Sequence, residues 1–110
     1  MSYENIKVDI LLSTYNGEKY LPELLHSLEN QTHDNWHLYI RDDGSTDSTP
    51  ILIENFIKRY PKKSNFIDGK NIGAIKSFGE LLKKSNSDYV LLCDQDDVWL
   101  DNKISLLLKK

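Results

Sequence analysis

Short apolar runs of strand character alternate with segments of helical periodicity along this 110-residue sequence. The first run, Lys7 to Thr14, is rich in apolar and β-branched residues and ends in the polar turn YNG. From Glu18 to Gln31 leucines recur at helical spacing, with Pro22 in the first turn, where its missing N–H costs no hydrogen bond. Such alternation predicts a parallel sheet with right-handed helical crossovers, which is the doubly wound α/β class.

The rest of the chain continues this alternation. Trp36, Leu38 and Ile40 alternate with more polar residues and predict a second strand, which stops at the DDGS turn. A second helix follows, with Thr49 as its predicted cap and Pro50 in its first position. The remaining predicted elements are a strand at 65–68, a helix around Ile75, Phe78, Leu81 and Leu82, a strand at 89–93, and a last helix capped by Asp101.

Composition and charge restrict the class of protein. The 39% apolar and 28% charged content is typical of one globular domain, so residues 1–110 are predicted to form a single domain. The net charge of −3, with both signs interspersed, leaves no basic stripe for nucleic acid. No apolar run is long enough to cross a bilayer, and the start lacks the layout of a signal peptide. We therefore expect a cytoplasmic location.

Polar turns follow three of the predicted strands. They are Thr14-Tyr15-Asn16, Asp42-Asp43 and the run from Asp94 to Asp97. In open α/β sheets ligands bind beyond the carboxyl ends of the strands, where the strand order reverses. If the order is 3-2-1-4, the reversal lies between strands one and four, and the three turns meet at one crevice.

The aspartates after the fourth strand, Asp94, Asp96 and Asp97, indicate a cation site. Carboxylates are hard oxygen ligands, which suit Mg²⁺ or Mn²⁺. Such ions are held by one or two carboxylates together with substrate phosphates, so a nucleoside diphosphate is the predicted ligand. The alternative is that these residues only cap the following helix, but a cap needs one acid and Asp101 is available. Cys93, inside an apolar run, is predicted to be an inert buried thiol.

The motifs STYNGEKYL, IRDDGSTDST, KNIG and CDQDDVW, in this order, resemble the family 2 glycosyltransferases with the GT-A fold. The resemblance covers nearly the whole chain. The stretches NIGAIKSF and CDQDDVWLDNKI are most similar to the bacterial rhamnosyltransferase-like branch, which builds cell-surface polysaccharides. The resemblance implies that the chain is the Rossmann-like, nucleotide-sugar-binding half of a truncated enzyme. The full-length enzyme is expected to be attached peripherally to the membrane.

The same resemblance implies roles for individual residues. Those implied in nucleotide binding are Thr14, Tyr15, Asn16, Asp42, Asp43, Gly73 and Lys76; those implied in metal binding are Asp94 and Asp96; those implied in sugar contact are Asp97 and Trp99. Within this set, Asp42 is expected to accept a hydrogen bond from the base, and Asp94 and Asp96 to hold Mn²⁺ or Mg²⁺ against the diphosphate.

Structural roles stay open for several of these side chains. Asp43 has the alternative of shaping a turn and helix start. Tyr15 has the alternative of packing at the strand end, and Lys76 that of a solvated position on the outer face of its helix. Trp99 has the alternative of core packing against the last helix.

The resemblance also implies the reaction: inverting transfer of a sugar from a UDP- or dTDP-linked donor to a saccharide acceptor. In the family the general base lies in a later segment, beyond residue 110, so we expect the fragment to bind donor but to be nearly inactive alone. We also expect self-association, because the fourth strand is an uncovered sheet edge with an apolar face.

Two other functions compete with this interpretation. Asp94-Gln95-Asp96-Asp97-Val98 also fits the DxDx[TV] nucleophile pattern of haloacid-dehalogenase-like phosphohydrolases. That motif normally follows the first strand of its fold, whereas here it follows the fourth. The third possibility is a non-catalytic nucleotide-binding module.

Overall fold

The computed structural model describes residues 3–109 of the chain. A short 3-10 helix, Tyr3–Asn5, comes first. The strands are β1 (Val8–Thr14), β2 (Trp36–Asp43), β3 (Ser64–Gly69) and β4 (Tyr89–Asp94), and the helices are α1 (Leu21–Glu29), α2 (Thr49–Arg59), α3 (Ala74–Lys84) and α4 (Lys103–Leu108). All strand pairs are parallel and the order is β3-β2-β1-β4, which confirms the predicted fold class and strand order.

The register of the central strand places three polar turns at one level. β1 pairs with β2 as far as Thr14 opposite Asp42, and with β4 as far as Ser13 opposite Asp94. The chain leaves β1 to one side and reaches β4 on the other, so the strand order reverses between these two strands. The turns after β1, β2 and β4 therefore begin beside one another at the carboxyl edge of the sheet.

Helices cover both faces of the sheet. The main core cluster joins Ile10, Leu12 and Leu38 of the sheet with residues of α1 and α2, including Leu24 and Phe56. The alternate residues of β1 and β2 point to the other face, because successive side chains of a strand point in opposite directions. There α3 packs on β1 and β2 and buries its Ser77 and Leu81.

Two predicted helix caps are wrong. α2 begins at Thr49 with Ser48 as its N-cap residue, and the Thr49 Oγ1 instead accepts the N–H of Gly17 at 2.9 Å. α4 begins at Lys103 with Asn102 before it, so Asp101 is not its cap. Neither Ser48 nor Asn102 makes a side-chain capping hydrogen bond, and the Thr49 N–H instead donates to the Asp47 Oδ1 at 2.9 Å.

Asp9, near the amino end of the central strand β1, anchors the connection between α3 and β4. Its carboxylate is fully buried and accepts the Ser85 Oγ at 2.8 Å, the Asn86 N–H at 3.1 Å and the Ser87 Oγ at 3.0 Å. Burial by itself would raise the pKa of Asp9, but these donors outweigh it and hold the pKa below its ordinary value. The turn that leads into β4 is thereby attached to the sheet.

Candidate active site

A cavity of about 360 Å³ lies at the carboxyl edge of the sheet and is lined by residues at or just beyond the ends of all four strands. Six of the residues singled out from the sequence line it: Thr14, Tyr15, Asp43, Gly73, Asp94 and Asp96. The predicted meeting of separate loops at one crevice is therefore observed. The same wall also contains Gln95, to which the sequence assigned no role.

The loop after β1 contributes an aromatic wall and a connection to the loop after β2. Tyr15 is 46% exposed and faces the cavity. Asn16 has a left-handed backbone (φ 46°), which asparagine adopts more readily than most residues. Its N–H donates to the Ser45 Oγ at 2.8 Å and its Oδ1 accepts the Thr46 N–H at 2.8 Å. Asn16 thus holds two loops together and does not line the cavity.

Asp42 lies inside the turn after β2. It is fully buried: its Oδ1 accepts the Thr14 Oγ1 at 2.7 Å and the Ser45 Oγ at 2.6 Å, and its Oδ2 accepts the Ser45 N–H at 2.8 Å. This position corrects the expectation that Asp42 faces a nucleotide base, because neighbouring residues already supply its donors. The carboxylate holds the turn, and the carboxylate that does face the cavity is the next one.

Asp43 lies at the cavity wall in a buried ion pair. Its Oδ1 accepts the Arg41 Nη1 at 2.8 Å and the Ile72 N–H at 2.8 Å, and its Oδ2 accepts the Gly73 N–H at 3.1 Å. Burial by itself would raise the pKa of Asp43, but the two backbone N–H groups and the guanidinium hold that pKa below its ordinary value. Asp43 therefore stays ionised and attaches the turn before α3 to the sheet.

Arg41 was missed by the sequence analysis. It is only 6% exposed, and besides Asp43 it donates to the Ser77 Oγ at 3.1 Å and to the Lys70 carbonyl at 2.9 Å. A usable signal was present: Arg41 and Asp43 are two residues apart on a strand and so share a face. A cation beside an acid on the covered face of a sheet indicates a buried pair.

The turn before α3 faces the cavity through Gly73 but not through Lys76. The Gly73 N–H is used by Asp43, which corrects the expectation that it faces a phosphate. Lys76 is exposed and does not line the cavity. This position is the solvated alternative that the sequence left open.

Asp94 and Asp96 are exposed carboxylates at the cavity, and neither side chain has a hydrogen-bond or ion-pair partner among residues 3–109. Asp97 lies outside the lining, with an oxygen 4.0 Å from the Lys103 Nζ. In the described part of the chain no three His, Cys, Asp or Glu side chains are grouped to hold a metal ion. Two free carboxylates nevertheless fit Mg²⁺ or Mn²⁺ that arrives with a diphosphate, since such ions keep waters and phosphate oxygens as further ligands.

Trp99 and Cys93 belong to the core. Trp99 is 3% exposed and packs in the same cluster as Ile104 of α4, so the packing alternative is correct and the expected sugar contact is not. Cys93 is 1% exposed, and burial raises the pKa of its thiol to about 12, which leaves it protonated and unreactive at neutral pH.

Comparison with known proteins gives consistent matches. The family description "Glycosyl transferase family 2" matches residues 9–110. The dTDP-rhamnosyl transferase RfbG of Shigella flexneri is 39% identical over 98 residues, which cover 84% of this chain and 34% of that protein. The putative teichuronic acid biosynthesis glycosyltransferase TuaG of Bacillus subtilis is 28% identical over 102 residues, covering 93% of this chain and 40% of that protein. The chain thus spans well under half the length of these curated relatives.

A solved structure gives a match of the same kind. S. aureus TarS 1-349 in complex with UDP-GlcNAc superposes with a TM-score of 0.75 at 32% identity, covering 93% of this chain and 29% of that one. The likeness therefore extends over nearly all of the chain but over less than a third of its structural relative.

Proposed function

Because this chain belongs to glycosyl transferase family 2, we propose that it is the donor-binding part of a glycosyltransferase. The reaction proposed for the whole enzyme is an inverting, metal-dependent transfer of a sugar from a UDP- or dTDP-linked donor to a saccharide acceptor. The proposed role is the synthesis of a cell-surface polysaccharide. The names of two relatives, a dTDP-rhamnosyl transferase and a teichuronic acid glycosyltransferase, support this role, and the UDP-GlcNAc complex of TarS supports the donor class.

One observation carries the proposal. Residues at or just beyond the carboxyl ends of all four strands line one cavity, and two carboxylates at that cavity, Asp94 and Asp96, are free of partners among residues 3–109. Both carboxylates carry negative charge, and no side chain among residues 3–109 pairs with either of them. Asp94 and Asp96 are the residues that would hold a divalent cation carrying a diphosphate, and the cation would neutralise their charge.

Each wall of the cavity has a distinct proposed task. The exposed ring of Tyr15 offers an apolar surface for a base. Asp94 and Asp96 would hold Mn²⁺ or Mg²⁺, which supplies stabilisation for the charge that develops on the leaving diphosphate. Asp43 keeps the turn before α3 in place beside them. The general base for the acceptor hydroxyl is proposed to lie in a segment outside these 110 residues.

The location and the competing functions complete the proposal. Within residues 3–109 no helix combines the length and the apolar character needed to span a membrane. The cytoplasmic location stays a prediction. The comparisons lend no support to a haloacid-dehalogenase-like phosphohydrolase, and the DxD motif follows β4, the last strand described.

Calorimetric titration tests the proposal. UDP and dTDP are titrated into the chain with and without Mn²⁺, and into the Asp96→Ala variant. We expect binding of at least one nucleotide that Mn²⁺ strengthens in the wild type and that Mn²⁺ no longer strengthens in the variant. The matched control is Asp88→Ala, because Asp88 is an exposed aspartate just before β4, at the opposite edge of the sheet. Absence of binding, or a response to Mn²⁺ that survives in Asp96→Ala, would refute the proposal.

A further inference from the structure

The side chain of Gln95 joins two walls of the cavity. The Tyr15 N–H donates to its Oε1 at 2.8 Å, and its Nε2 donates to the Tyr15 carbonyl at 2.9 Å. One carboxamide thus satisfies both backbone groups of one residue. Parallel pairing of β1 with β4 ends at Ser13 opposite Asp94, so the amide makes one more bridge between the two chain segments beyond the end of the ladder.

Gly17 makes room for this amide. A Cβ at Gly17 would lie 2.5 Å from the Gln95 Oε1, which is too close for any larger residue without a shift of the amide. The Gly17 N–H donates to the Thr49 Oγ1 at 2.9 Å, at the start of α2. The loop that Gln95 holds is therefore attached at its other side to a helix, and the amide lies against a supported segment.

Gln95 lies between the two carboxylates of the DxD motif, so its bridge to Tyr15 connects them to the opposite wall of the cavity. Its neighbours in the chain are Asp94 and Asp96, and all three line the cavity together with Tyr15. A glutamine has a donor and an acceptor on one planar group, which matches the N–H and C=O of a single backbone residue. Glutamate lacks the donor, and methionine has neither group.

We propose that Gln95 is a positioning residue: its carboxamide holds the wall that contains Tyr15 at a fixed distance from the carboxylates of Asp94 and Asp96. The inference rests on the proposed function, in which a nucleoside diphosphate contacts the first wall and its divalent cation contacts the second. A ligand that contacts both walls binds more tightly when their spacing is already fixed, because no conformational entropy is then lost to fix that spacing on binding. Gln95 therefore acts on the coupling between nucleotide and cation through the position of Tyr15.

The experiment measures that coupling. UDP and dTDP are titrated with and without Mn²⁺, and the ratio of the two affinities is compared between wild type and Gln95→Met, which keeps the length of the side chain but removes both hydrogen bonds. We expect the enhancement by Mn²⁺ to fall on the order of fivefold, the lower range of measured coupling between sites. Affinity for the nucleotide without Mn²⁺ is expected to be unchanged.

Two further variants serve as checks. Gln95→Asn keeps the amide but shortens its reach by one methylene, so it is expected to behave like Gln95→Met. Gln31→Met is the matched control, because Gln31 also bridges two segments but does not line the cavity. Its Nε2 donates to the Leu100 carbonyl at 2.7 Å, and its Oε1 accepts the Ile104 N–H at 3.2 Å. We expect the control to keep the wild-type enhancement.

The outcomes separate the two proposals. A wild-type enhancement in both Gln95 variants would overturn the inference and leave the proposed function intact. Equal loss of affinity with and without Mn²⁺ would also overturn it, because that result describes a merely structural contact. Failure of the wild type to bind either nucleotide in the presence of Mn²⁺ would overturn the proposed function and the inference with it.

Discussion

Asp42 and Asp43 are adjacent and identical in type, yet they have opposite surroundings. Side chains alternate along β2, so Asp42 points to the face where Thr14 and Ser45 supply donors, and Asp43 points to the face of Arg41. The pattern DDGS does not distinguish them. Their difference arises from the partners that other parts of the chain bring to each face.

The ion pair of Arg41 and Asp43 leads to a prediction about stability. Both side chains are buried, so Arg41→Met leaves the Asp43 carboxylate buried without its cation, and we expect a loss of about 3 kcal/mol in the free energy of unfolding. Urea denaturation measures it. The matched control is Arg59→Met, which removes the ion pair of Arg59 with Glu29. The Arg59 side chain is 58% exposed, and exposed ion pairs contribute less than about 1 kcal/mol to the free energy of unfolding. Equal losses in the two variants would contradict the buried role of Arg41.

At the scale of the elements, the start of α3 depends on the backbone conformation of the glycine before it. The loop from β3 enters the helix through Gly73, whose backbone (φ 90°, ψ 155°) lies in a region that is open essentially only to glycine. This conformation directs the Gly73 N–H to Asp43 and so attaches the beginning of α3 to the end of β2. The cavity wall at this point is therefore made by backbone, and a glycine determines its shape.

Two glycines of this region are predicted to respond in opposite ways to alanine. A Cβ added at either glycine would meet no surrounding atom within 4 Å. The backbone conformation of each site therefore determines how alanine changes the stability. Gly73→Ala is expected to lower the free energy of unfolding by about 2 kcal/mol through backbone strain. Gly79→Ala, in the interior of α3, is expected to raise it by about 1 kcal/mol through helix propensity. Thermal or urea unfolding of both variants tests the pair, and a stabilised Gly73→Ala would show that the turn is not strained.

At the scale of the whole molecule, the two edges of the sheet differ. β3 and β4 are the edge strands of the described sheet, and β4 carries exposed apolar residues, with Tyr89 at 49% and Leu92 at 59% exposure. Leu82 of α3 is also exposed, at 52%. An edge strand with apolar neighbours is a template for pairing with another chain.

We accordingly predict that the 110-residue chain self-associates through the edge of β4. Sedimentation velocity over a range of protein concentrations is expected to show an apparent mass that rises with concentration. Leu92→Lys, which places a charge on the exposed face of β4, is expected to shift the distribution towards the monomer. A strictly monomeric wild type at high concentration would contradict the prediction.

Much of the architecture was predictable from the sequence, because the signals for it are local. Strand and helix periodicities, with polar turns between them, indicated the order of the elements, and the class of fold determines at which edge of a parallel sheet those turns meet. Thr14, Tyr15, Asp94 and Asp96 were found at the cavity for this reason.

Only the tertiary structure decided what each side chain does there. Asp42 holds a turn, Trp99 lies in the core and Lys76 is solvated, while Arg41 and Gln95 make contacts that the sequence analysis did not anticipate. The hydrogen-bond partner of the Gln95 amide is 80 residues away in the chain, and the hydrogen-bond donors to Asp9 are 76 or more residues away. Periodicity is a property of neighbours along the chain, whereas a hydrogen bond depends on which distant residues the packing brings within about 3 Å.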